Sequence, residues 1–333
     1  MKPKMLVLEL WGMGDVGFAT PFLQAASREF EVTLLAKPVA GELAPLFCPA
    51  VKVLPFIFPW TAPSGKYRLH RWPWKALWRL IRSLRRERFQ VAVSGRWDPR
   101  DHFLMFVVGA KRRMGFPRTG SRWLLSESLA YPPPPGHRYD FWHDLGRRLN
   151  LPMPPLSDLP GDVARSSGSV IFHSGASTDL RVWPLERFAA QVARLRRQGF
   201  SVSVVCDRRQ EPWWRQQGER EVLVSESISS LVGLYKEAVV FVGNDSGPGH
   251  LAALCGVPTV TIFGPQIGIG FRPIHPAARW VEGKACPYKP CFDNCRYAVP
   301  HCLRDVTEAE VGREIDALIG NGKPSAATGS PLN

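Results

Sequence analysis

Short continuous apolar runs alternate along this chain with amphipathic stretches of period near 3.6, the pattern of buried parallel strands joined by helices. In the first half the pattern predicts a strand at residues 5–10, a glycine-rich turn at 11–17, a helix at 18–29 and a second strand at 31–36. Further strands follow at 89–94 and 111–116, with a short helix at 102–108. In the second half, strands are expected at 170–173, 201–206, 222–224, 239–242 and 259–263, and helices at 185–198, 211–221, 228–237 and from 251 to a stop at Gly256 and Pro258. Prolines crowd 131–136, and 151–167 is rich in Pro, Ser and Gly. These signals predict an α/β chain of two domains, 1–155 and 168–320, joined by a linker at 156–167 and facing each other across a cleft. The Gly, Pro, Ser and Ala of 321–333 predict a disordered tail.

Composition adds limits. With 333 residues, 45% of them hydrophobic, the chain can build two real cores. No apolar run approaches the roughly 18 residues of a membrane span, and residues 1–10 carry Glu9 and no small-residue cleavage site, so a cytoplasmic location is expected. Seven cysteines, an odd number, argue against a disulfide-built secreted domain. Charge is split unevenly: residues 1–150 hold 24 Lys and Arg against 11 Asp and Glu, the remainder 19 against 18. The first domain is therefore expected to meet something acidic.

Three loops carry candidate chemistry. Val242-Gly243-Asn244-Asp245-Ser246-Gly247-Pro248-Gly249-His250 runs from a buried strand into a helix start, with Ser246 or Gly247 as N-cap and Pro248 near the first helical position. The N–H groups of that first turn would meet an anion, and His250 adds a donor. An ordinary helix cap explains the same residues. The loop of residues 173–184 follows a strand likewise, and its small residues, Ser177 and the cation Arg181 could wrap a diphosphate; a plain polar loop also fits. Near the N-terminus, Gly12-Met13-Gly14-Asp15-Val16-Gly17 satisfies the dinucleotide-binding spacing. Against that, the following strand ends Leu35-Ala36-Lys37 with no carboxylate for a ribose, and Asp15 sets a negative charge where a pyrophosphate would sit. Asp15 is better suited to accept a proton or to cap a helix. Residues 71–86 interleave Trp, Leu and Ile with Arg and Lys at helical spacing, fitting a membrane-surface helix, a core-packed helix with a basic face, or a nucleic-acid contact; no nucleic-acid motif accompanies it, and no nucleic-acid partner is expected.

Taken in order, the Gly-x-Gly-Asp-Val turn, the Gly175-Ala176-Ser177 loop with its cation and Trp183-Pro184, and the Asn-Asp-Ser-Gly-x-x-His-Leu-Ala-Ala run followed by Gly-x-Pro-Thr-Val and Phe263-Gly264-Pro265 resemble glycosyltransferase family 9, the ADP-heptose:lipopolysaccharide heptosyltransferases, over residues 5 to about 318. The segment with Cys291, Cys295 and Cys302 resembles the heptosyltransferase II branch. The resemblance implies a GT-B architecture of two facing Rossmann-like domains, the acceptor held by the first and the nucleotide-sugar by the second, with inversion at the sugar's anomeric carbon. It implies Asp15 as general base beside Gly14, and Ser177, Arg181, Asp245, Ser246, Gly247 and His250 as donor-binding residues. Arg181 stands where the family has a lysine, and Ala176 where some relatives have another hydroxyl. The implied partners are ADP-heptose or a related donor and an anionic glycolipid acceptor at the inner membrane surface. No Asp-x-Asp or His/carboxylate cluster adjoins these loops, so no metal or cofactor is expected there. An NAD(P)-dependent oxidoreductase built on residues 12–17 and a non-catalytic nucleotide-sugar binder remain the other readings. Cys286, Cys291, Cys295 and Cys302, with His301, are candidates for a zinc or iron site or for buried thiols, with a structural role expected because the segment lies outside the three loops.

Overall fold

In the computed structural model, which describes residues 2–62, 68–159, 168–291 and 293–320, the alternation becomes two separate parallel sheets. The chain divides into two units, Met1–Asp158 and Leu159–Asn333. Residues 160–167 of the expected linker and the expected tail lie outside the described residues.

The first unit contains β1 (Lys4–Glu9), β2 (Glu31–Ala36), β3 (Lys52–Pro55), β4 (Val91–Ser94), β5 (Arg112–Gly115) and β6 (Glu127–Ser128), in the spatial order 3-2-1-4-5-6. Its helices are α1 (Met13–Glu29), α2 (Ala40–Phe47), α3 (Trp74–Arg86), α4 (Pro99–Val108) and α5 (Arg138–Arg148). Met5, Leu6, Val7 and Leu8 are all fully buried, because a central parallel strand is covered by helices on both faces. The second unit has β7 (Ser169–His173), β8 (Val202–Cys206), β9 (Leu223–Val224), β10 (Ala238–Asn244), β11 (Thr259–Phe263) and β12 (Ala278–Glu282). They are joined by α6 (Leu185–Arg197), α7 (Glu211–Gln216), α8 (Ile228–Tyr235), α9 (Gly247–Leu254) and α10 (Gly268–Phe271), and followed by α11 (His301–Arg304) and α12 (Glu308–Ile319). Its order, 12-11-10-7-8-9, is the first unit's topology repeated.

This strand order reverses direction between β1 and β4, and again between β7 and β10. At such a switch point the loops leaving the carboxyl ends diverge to opposite faces and leave a crevice in which doubly wound sheets bind ligands. All three candidate loops leave β1, β7 or β10.

Several elements, among them α2, β3, β12 and α12, were not expected, α7 ends at Gln216 rather than 221, and two further differences bear on the site. Helix α1 begins at Met13, so Gly14 and Asp15 belong to its first turn and the expected seven-residue turn shrinks; the Asp15 carboxylate accepts the Gly12 N–H at 3.2 Å and closes that turn. Helix α5, absent from the sequence reading, buries Tyr139, Trp142 and Leu145, a helical spacing placed among charges and capped by His137, whose ring accepts from Tyr139 N at 3.0 Å.

Candidate active site

In the second unit, the loops after β7 and β10 are tied together by one side chain. The buried Asn244 amide donates to the Ser174 carbonyl at 2.8 Å and accepts the Trp183 N–H at 2.9 Å. Ser174 is further fixed through Gln210 and the Trp214 indole, each at 2.9 Å from its hydroxyl. At Gly175 the backbone passes so close to Asp207 that a Cβ would lie 2.4 Å from its carboxylate, which accepts the Ala176 N–H at 3.1 Å, so a larger residue would displace that carboxylate. His173 is buried, its Nδ1 accepting the Gly175 N–H at 3.2 Å, and burial holds its pKa down against the opposing charge of Asp207. Trp183 anchors the far end of the loop, its indole bonded to the Val306 carbonyl at 3.0 Å.

On this scaffold the expected donor-loop residues converge. Ser246 is the N-cap of α9 in extended backbone; its hydroxyl turns to the Asn244 carbonyl at 3.3 Å and makes no bond within the first turn. Gly247 opens the helix, and His250 is buried in its first turn. Arg181 reaches from the β7 loop to Asp245, with Nη1 at 3.2 Å from Oδ2 and 3.4 Å from the main-chain oxygen. Ser177 is exposed on the same loop.

The other edge of the Arg181 guanidinium is occupied by Asp293, with Nε to Oδ1 at 2.7 Å and Nη2 to Oδ2 at 2.8 Å. Asp293 lies between Cys291 and Cys295, so the cysteine segment does not lie outside the loops as its position in the chain suggested: it reaches the predicted phosphate cation. Cys286, Cys291, Cys295, Cys302 and His301 line one small cavity of about 20 Å³. Among the described residues no three His, Cys, Asp or Glu side chains are placed to hold a metal ion. Burial pushes the Cys302 thiol up.

The first unit's switch point holds a lattice of charges that the sequence reading largely missed. Glu9, at the end of β1, is wholly buried; its Oε1 accepts the Trp11 N–H at 3.2 Å and its Oε2 lies 3.5 Å from Arg138 Nη2. Asp15 Oδ1 lies 3.7 Å from Arg138 Nε, and the Asp15 side chain is about one-fifth exposed. Arg138 thus spans both carboxylates, donates to the Gly95 carbonyl and is enclosed by the rings of Trp11, Trp97 and Phe141 at 5.1–5.3 Å. Arg96, equally buried, lies over the Trp11 ring at 4.5 Å and pairs with Asp98 and Asp101 at 3.3 and 3.4 Å. Burial, then the charge of Asp15, pushes Glu9 up to about 7 against the pull of the two arginines, and burial raises Asp101 to about 6. Lys37, at the end of β2, is pulled down by burial. The one signal available in sequence was Glu9 itself, a carboxylate inside an apolar strand run; nothing local marks Arg96 or Arg138.

This packing disfavours a dinucleotide. The glycine turn faces two carboxylates, and β2 runs into Ala36-Lys37 with no acid for a ribose.

The model of glycosyltransferase family 9 (heptosyltransferase) matches residues 77–299. The chain is 24% identical to lipopolysaccharide heptosyltransferase 1 of Pseudomonas aeruginosa, the match covering 88% of each. Among solved structures it is similar to the E. coli heptosyltransferase WaaC, solved with ADP, at 17% identity and a TM-score of 0.71 over 95% of this chain and 99% of that one. It is likewise similar to E. coli ADP-heptose lps heptosyltransferase II, at 17% identity and a TM-score of 0.69 over 95% and 98%. The likenesses agree with the fold class expected from sequence, α/β of the GT-B type built from two Rossmann-like units.

Proposed function

Because the chain belongs to glycosyltransferase family 9, we propose that it transfers a heptose from ADP-heptose, with inversion at the anomeric carbon, to a lipopolysaccharide core or a similar anionic glycolipid. The observation that carries this reading is the convergence of Arg181, Asp245, Ser246 and His250 at the β7/β10 switch point, where a nucleoside diphosphate meets a helix N-terminus, hydroxyls and a cation. It is supported by the curated relative's name and by the similar structure's ADP.

In the proposed reaction the acceptor hydroxyl attacks the anomeric carbon, the bond from that carbon to the diphosphate breaks, and the hydroxyl proton passes to Asp15. Asp15 is suited to this because it is partly exposed, unlike the sealed Glu9, and lies 3.7 Å from the Arg138 guanidinium, which can hold its carboxylate in place. Negative charge grows on the departing diphosphate, which Arg181, His250 and the first turn of α9 would stabilise. The first unit would take the acceptor. Its surplus of Lys and Arg, with Trp74 and Trp78 more than half exposed on α3, suits an anionic membrane surface on which such an acceptor resides. Among the described residues no helix is long and apolar enough to cross a membrane.

The test combines calorimetry with turnover. Asp15→Asn is expected to lower transfer from ADP-heptose by about 100-fold or more while leaving ADP affinity near wild type. Arg181→Ala and His250→Ala are each expected to weaken ADP binding by about tenfold or more. Full turnover in the first variant, or unchanged ADP affinity in both others, overturns the assignment of roles.

A further inference from the structure

The charge around Arg181 is unfavourable to the ligand proposed for it. One guanidinium stands between Asp245 and Asp293, two carboxylates within 3.2 Å, so the trio carries a net negative charge before any diphosphate arrives. Asp293 holds the Nε/Nη2 edge with two parallel bonds, the same fork that binds two oxygens of a phosphate. All three side chains are mostly shielded from water, at 19%, 6% and 26% exposure, which sharpens the repulsion between a bound carboxylate and an incoming phosphate.

Asp293 does not belong to the scaffold of the switch point. It sits in the segment after β12, with backbone at φ 63°, the left-handed region that Asp and Asn tolerate better than most residues. The segment is fastened close by: Cys291 donates its N–H to the Pro265 carbonyl at 3.2 Å, Asn294 N–H returns to the Cys291 carbonyl at 3.0 Å, and Lys289 pairs with Glu282 at 2.6 Å. Pro265 belongs to the turn that leaves β11. The cysteine segment therefore hangs from the donor unit's own sheet edge, and its one described carboxylate points into the predicted phosphate site.

We propose that Asp293 is a built-in competitor of the donor: its carboxylate occupies the place of a phosphate on Arg181, and donor binding exchanges one anion for the other. The proposal rests on the reading of Arg181 as the diphosphate cation. An internal anion of this kind keeps the Nε/Nη2 edge of Arg181 paired when no donor is present, and it lowers affinity for a spent diphosphate, which helps product leave.

The experiment is calorimetric titration of the full chain with ADP, in wild type, Asp293→Asn, Arg181→Ala and the double variant. Asn is nearly isosteric and accepts the same backbone, and Asp293→Gly serves as a second variant that also accepts positive φ. Asp293→Asn is expected to tighten ADP binding about tenfold, the order of one partly shielded ion pair released from competition. That gain is expected to vanish when Arg181→Ala is already present. Weaker or unchanged ADP binding in Asp293→Asn and Asp293→Gly, with Arg181→Ala still weakening it, overturns the competitor alone and makes Asp293 a residue that orients Arg181 or meets the nucleotide. If Arg181→Ala leaves ADP affinity unchanged, the donor-site reading falls and the competitor with it.

Discussion

Glu9 and Asp15 are two carboxylates spanned by one guanidinium, and only Asp15 keeps contact with water. Glu9 is sealed at the end of β1 and held by a single main-chain N–H, so its neutral form is favoured up to about 7, while Asp15 retains contact with water. A folded-state value raised above the ordinary 4.5 stabilises the fold at low pH; that contribution begins to fade above 4.5 and is gone once pH has risen through about 7. Glu9→Gln mimics the neutral acid at every pH. The stability of wild type relative to Glu9→Gln is therefore expected to fall between pH 4.5 and 8 by roughly 1–3 kcal/mol, measured by urea unfolding at a series of pH values. Asp101 shifts in the same sense but is present in both proteins and cancels. A flat difference would show that Arg138 and Arg96 keep Glu9 ionised.

At the scale of elements, the proposed donor site depends on a strand-to-strand tie. Asn244 ends β10 and bridges to the exit of β7, which the sequence places 70 residues earlier. Asn244→Ala removes two bonds and leaves the Ser174 carbonyl and the Trp183 N–H buried without that partner. The expected cost is about 2–4 kcal/mol in unfolding free energy, with weaker ADP binding as both loops loosen. A loss below about 1 kcal/mol would mean that Gln210, Trp214 and the Trp183 indole hold the loops by themselves. Element boundaries were legible where apolar runs met turn residues: β2 and β11 occupy the expected residues, since both are uninterrupted buried strands. The start of α1 was not, because glycines mark a turn locally and only the Asp15 carboxylate, folding back on Gly12, makes them helical.

At the scale of the molecule, charge separates the two units. The surplus of Lys and Arg lies in the first 150 residues, and α3 displays it: Leu77, Leu80 and Leu84 face the core, while Trp74 and Trp78 lie 54% and 59% exposed and Arg82 stacks on Trp78 at 5.1 Å. The core-packed reading of this helix with a basic outer face is thus met by its buried leucines and its exposed tryptophans and arginines. If the outer face meets anionic lipid, salt that shortens the Debye length from about 10 Å to about 3 Å should abolish sedimentation with anionic vesicles and raise the acceptor KM, with little change in the donor KM. Reversing Arg79, Arg82 and Arg86 to Glu should reproduce the effect of salt. Equal salt dependence for donor and acceptor, or no vesicle binding at low salt, overturns the membrane role.

The amino-acid sequence by itself determined the alternation of strand and helix, the family, and the three loops proposed to carry the chemistry, because each depends on residues within about ten positions of one another: apolar period, cap residues, glycines and prolines. Tertiary structure alone decided which charges meet. Arg138 reaches Glu9 and Asp15 across more than 120 residues, and Asp293 reaches Arg181 across 112, because parallel sheets bring the ends of distant strands to one edge. Chain order carries no record of that adjacency, and so the arginine read from sequence as a waiting phosphate cation is found in the fold already holding a carboxylate.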